Sequence, residues 1–123
     1  MPDRLEGKDV LQRIYASDTL ALLAAPTAVT VALRERRWGE AAAHCTLLVE
    51  YGPADDLKHA HRVAGLLHKT GVALHEALQT EDASAVFEAL TSFYNTPTTH
   101  SELLGVRLKA QFDHLRWLED TQG

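Results

Sequence analysis

The chain has 123 residues, 46% hydrophobic and 24% charged, enough for one domain with a core and too few for two. Four prolines, seven glycines and a single cysteine, Cys45, exclude an intramolecular disulfide and a thiolate metal cage, and the alanine- and leucine-rich remainder favours helix. The net charge of −5 argues against a large nucleic-acid footprint, which draws on a basic stripe.

The charged opening, Met-Pro-Asp-Arg-Leu-Glu-Gly-Lys-Asp, lacks the apolar core of a signal peptide. Val10, Leu11, Ile14 and Tyr15 then give a first helical stripe, and Ser17 or Asp18 interrupts it or caps the next turn. The longest uncharged run, Thr19 to Leu33, is too short to span a membrane. With one cysteine and no span, a cytoplasmic location is expected. Pro26 inside that run restarts or kinks the helix, and suits a first-turn position before Ala28 to Arg37. Trp38, Ala41, Ala42, Cys45, Leu48 and Val49 repeat at helical spacing up to Gly52-Pro53, a stop signal.

Asp55 or Asp56 opens a long helix that the pattern carries to Thr80. Asp82 is the expected N-cap of the next, whose stripe is Val86, Phe87, Leu90, Phe93 and Tyr94. Thr99-His-Ser-Glu102 matches a capping box and introduces a last helix with Leu104, Leu108, Gln111, Phe112, Leu115 and Leu118 along one side. Trp117 lies off that stripe, with Ala110 and His114, which places it on a second contact surface. No alternating strand pattern occurs. The expectation is a single all-α domain, residues 1–123, of five or six helices in antiparallel hairpins or a bundle.

Ala32 to Ala41 and Ala77 to Ala85 echo one another: Ala-Leu leads through a polar turn into a helix, with an alanine twelve residues before Pro53 or Pro97. With Trp38 opening the turn, Ala41 at the crossing and Pro53 closing the unit, residues 37–53 resemble the second helix of a tetratricopeptide hairpin. That resemblance implies architecture, helical hairpins packed antiparallel, and no catalytic residues.

Four of the seven histidines fall between His59 and His75. On a helix, His61, His68 and His75 form one row at seven-residue spacing, beside an apolar centre and with Gly65 and Val72 on the far side of the row. Seven residues rise about 10.5 Å, whereas zinc holds its ligands at about 2.0–2.1 Å, so no two of the row share an ion. A bundle holding metal or haem through His44, His59 or one of the row is one alternative. The others are a structural flank, and an interface whose imidazoles charge together as pH falls toward about 6. Arg62 to His68 and Arg107 to His114 resemble the loose Arg-to-His element of HEPN ribonucleases. That family usually has a polar residue after the arginine, and here Val63 and Leu108 follow.

Between Thr70 and Val106 there is no lysine or arginine, and Glu76, Glu81, Asp82, Glu88 and Glu102 account for the whole charge deficit. No nucleophile elbow, phosphate loop or dinucleotide fingerprint is present, and Cys45 sits on an apolar stripe as a core residue would. No catalytic residue and no cofactor is assigned. The functional expectation is a non-enzymatic protein–protein interaction domain, an adaptor, chaperone-like protein or small assembly subunit. Its expected interface is His61, His68, His75, Val72 and Trp117, with Glu76, Glu81 and Glu88 facing a basic partner or a second copy.

Overall fold

A computed structural model describes the backbone of residues 2–122 and the side chains of residues 9–122. Six helices follow one another: α1 (Pro2–Ser17), α2 (Leu20–Arg34), α3 (Trp38–Tyr51), α4 (Leu57–Glu76), α5 (Thr80–Asn95) and α6 (Ser101–Gln122). Among the described residues there is no strand, so the all-α expectation holds.

Two hairpins, α2–α3 and α4–α5, pack on each other through α3, α4 and α5. α1 lies against α3, and α6 covers α4 and α5 from the other side. The core is the seam between the hairpins, where Leu47, Leu48, Val63, Leu67, Leu74, Val86 and Leu90 are at most 1% exposed. Each such side chain contributes about 1.5–3 kcal/mol by leaving water.

The turns of the two hairpins share one geometry. Arg36 and Leu78 both adopt the left-handed region, at φ 60 and 63. In each, the next residue's N–H bonds back five residues, Arg37 to Ala32 O at 2.8 Å and Gln79 to Leu74 O at 2.9 Å. These are Schellman closures with a non-glycine residue in the left-handed position. They align Arg36 with Leu78 and Ala41 with Ala83, both alanines buried. The sequence echo therefore exists in a different register from the Ala32/Ala77 match.

Several local expectations are corrected. Pro26 does not start a helix but lies inside α2; Ala25 and Val29, each 1% exposed, hold the helix on α3 through the missing hydrogen bond. The Schellman turn ends α4 at Glu76, short of Thr80, while Asp56 caps its start by accepting from His59 N at 2.9 Å. Asp82 is not an N-cap: α5 begins at Thr80, and Asp82 is buried in its first turn. The Thr99–Glu102 capping box does not form. His100 takes the cap position of α6, its Nδ1 3.4 Å from Leu103 N, and Thr98 Oγ1 accepts from His100 N at 3.1 Å.

Candidate functional site

Position 103 to position 117 of α6 carries two stripes. Leu103, Val106, Arg107, Ala110 and His114 are buried and Trp117 half-buried on one side. Leu104, Leu108, Phe112 and Leu115 are 45%, 54%, 63% and 51% exposed on the other. At about 100° per residue the stripe centres lie roughly 145° apart. The richer apolar stripe thus faces outward and the face bearing Arg107, His114 and Trp117 faces inward.

Each inward polar group has a partner that explains this choice. Arg107, 3% exposed, donates through Nη1 to Thr96 O at 2.7 Å and through Nη2 to Ala54 O at 3.2 Å. These carbonyls lie just beyond the C-termini of α5 and α3, where the helix dipoles favour a cation. The guanidinium also lies 5.7 Å from the Phe93 ring centre. His114 Nδ1 is 2.9 Å from the Tyr94 hydroxyl, and its ring stacks on Phe87 at 4.8 Å with planes 5° apart. Trp117 stacks on the same Phe87, centroids 4.8 Å apart, and takes the edge of His75 at 5.0 Å. Phe87 fits there because residue 71 is glycine: a Cβ on Gly71 would lie 2.7 Å from the Phe87 ring.

The histidine row divides along its length. His61 is exposed on α4. His68 is half-buried beside His114, and among the described residues its Nδ1 has no hydrogen-bond partner. His75 is exposed over Trp117, and Val72 is half-buried. Trp117 therefore sits under the row, between α4, α5 and α6, rather than on a separate outer surface. Glu76, Glu81 and Glu88 are exposed on α4 and α5.

The buried histidines lie elsewhere. His44 Nδ1 is 2.8 Å from the Tyr15 hydroxyl. His59 covers Gly52, whose Cβ would collide with the imidazole. Burial lowers the pKa of His44, His59 and His114; Arg62 adds to the effect at His59 and His68 at His114. Among the described residues no group of three or more His, Cys, Asp or Glu could hold a metal ion. Cys45 is fully buried and its thiol is pushed up to about 12 by burial, which makes it a poor nucleophile. Arg107 and His114 share the buried face of α6, each bonded within the chain.

His59, Phe93, Thr96 and Arg107 line a cavity of about 60 Å³ between α3, α4, α5 and α6. That is far below the roughly 300 Å³ at which ligand pockets begin. The exposed large hydrophobic side chains among the described residues are the outer stripe of α6, Val10, Ile14, Leu20 and Leu23 on α1 and α2, and Leu78 in the turn before α5. Periodicity displayed the α6 stripe; its outward orientation was invisible without the partners on α4 and α5. No helix among the described residues is long and apolar enough to cross a membrane. No family model, curated protein or solved structure matches the chain.

Proposed function

We propose that this chain is a non-catalytic helical protein–protein interaction module, an adaptor, chaperone-like protein or small assembly subunit, that receives a protein partner on the outer face of α6. The observation carrying this reading is the exposed stripe Leu104, Leu108, Phe112 and Leu115 on a helix whose opposite face is already seated in the domain. Solvated helices normally turn a polar face to water, and contiguous apolar patches of this kind mark interaction sites. The inward face locks the helix in place, so the outer face is presented without rearrangement.

A photoreactive amino acid at position 112, introduced in the full chain in the producing cell, tests the reading. One discrete protein adduct is expected there and none from a control at the exposed Lys58 on α4. Absence of an adduct at 112, or equal labelling at both positions, would count against the module.

A further inference from the structure

We infer that the occupant of the α6 face is a second copy of this chain, with the two α6 helices packed antiparallel about a twofold axis level with residue 110. This rests on the reading of α6 as a docking face and goes beyond it by naming the partner and the register.

The stripe is self-complementary about that axis. Helical rise sets Leu104 level with Leu115 of the second copy and Leu108 level with Phe112. Every exposed apolar side chain of the stripe then meets another, as an isologous interface requires. The charges on that side are mixed in this register: Lys109, bonded to Asp113 within its own helix, comes within about 3 Å of its own copy along the axis, while the outer pair is of opposite sign. Arg116, exposed on one edge of the stripe, and Glu102, exposed about 40° further round on the same side, come within about 3 Å of each other along the axis, once on each side of the twofold. Glu119 lies level with Ser101 of the second copy, where the unpaired N–H groups of the α6 N-terminus carry partial positive charge. Gly105 leaves the edge of the stripe low, since a Cβ there would meet no atom within 4 Å, so a second helix can approach closely.

The area is sufficient. The four apolar side chains expose on the order of 450 Å² per copy, the size of patch that is often functional. With its polar rim a symmetric pair covers roughly 1,200 Å², the lower edge of the range for specific interfaces. The apolar residues of α1 and α2 are a competing occupant: their docking onto α6 of a neighbour would be head-to-tail and would not close.

The test combines mass and directed cross-linking on the full chain. Light scattering across a concentration series should reach a plateau at twice the chain mass of 13.6 kDa. Leu108→Glu should return it to one chain mass with helical circular dichroism unchanged, because Leu108 is exposed in the single chain. Separately tagged Glu102→Cys and Arg116→Cys proteins, mixed and oxidised, should give the mixed disulfide dimer and neither homodimer; Cys45 is buried and does not compete.

A monomer at all concentrations, open-ended growth in mass, a dimer that survives Leu108→Glu, or homodimeric disulfides would each overturn the inference. If the dimer fails while position 112 still yields one discrete adduct with a different protein, the interaction-module reading stands alone. If both fail, neither survives.

Discussion

The two terminal helices are located by the same pair of side chains. On α1, the Tyr15 hydroxyl is 2.8 Å from His44 Nδ1 of α3; on α6, His114 Nδ1 is 2.9 Å from the Tyr94 hydroxyl of α5. Ring centroids are 5.8 Å apart in both, with tilts of 57° and 58°. Their surroundings differ. Tyr15 is the only side chain of α1 that is buried among its described residues, whereas α6 buries Leu103, Val106, Arg107, Ala110 and His114 and adds the Phe87–Trp117 stack. A Tyr–His bond sets the position of a helix, but packing fixes how firmly it is held. α6 can therefore bear a partner on its outer face, while among its described residues α1 is held by buried Tyr15, by half-buried Leu11 packed on the core and by Gln12, which donates to the Tyr51 hydroxyl at 3.2 Å.

Acid should stress both ends at once and produce the largest effect. His44 and His114, with His59 between them in the chain, have pKa values lowered from 6.5 by burial. Above that value both folded and unfolded forms are neutral, and the histidines contribute no pH dependence. Below it the unfolded chain takes up protons first, so stability falls until the folded-state pKa values are passed. Thermal midpoints should be flat from pH 7 to 8 and drop progressively below about 6.5. A midpoint that rises on acidification would contradict the buried neutral histidines.

Arg107→Met should separate the two ends. It leaves the carbonyls of Ala54 and Thr96 without their donor and removes a buried cation from two helix C-termini. A loss of about 3 kcal/mol in urea unfolding is expected. Amide exchange should accelerate in α6 with α1 unchanged relative to it. Uniform acceleration would mean that Arg107 serves the whole domain instead of anchoring α6.

The tyrosines measure the two bonds against each other. Tyr15→Phe leaves a buried imidazole nitrogen unpaired at a site 4% exposed and should cost about 1.5 kcal/mol. Tyr94→Phe should cost less, about 1 kcal/mol, because Tyr94 is half-buried and water can replace the hydroxyl. The reverse order in chemical denaturation would show that the aromatic stack makes the α6 bond the stronger.

The smallest effects come from two glycines of α4. Gly71→Ala drives a methyl into Phe87, whose ring is held by His114 and Trp117, so about 1 kcal/mol should be lost together with a change in tryptophan fluorescence. Gly65→Ala meets nothing within 4 Å and should gain up to about 1 kcal/mol from helix propensity. A shared sign for the two changes would rule out the Phe87 contact as the cause.

Much of the architecture was legible because helix formation is local. Asp56 before an apolar-periodic run, Gly52-Pro53 after one and the 3.6-residue spacing of Val86, Leu90 and Phe93 act within a few residues of chain, and each marks its helix. The misplacements were local conflicts settled at long range. α2 continues through Pro26 because Ala25 and Val29 are buried on α3, and α5 starts before Asp82 because the Leu78 turn fixes its first residue.

The candidate site divides in the same way. Periodicity alone placed Leu104, Leu108, Gln111, Phe112, Leu115 and Leu118 on one side of α6 and Ala110, His114 and Trp117 off it. It carries no information about which side meets the core, since a rotation of the helix leaves its own spacing unchanged. Only the tertiary structure decided that, by bringing Thr96 and Ala54 carbonyls to Arg107, the Tyr94 hydroxyl to His114 and the Phe87 ring to Trp117. With those groups bonded inside, the Arg107 guanidinium through both Nη atoms but not its Nε, the apolar stripe was left facing outward.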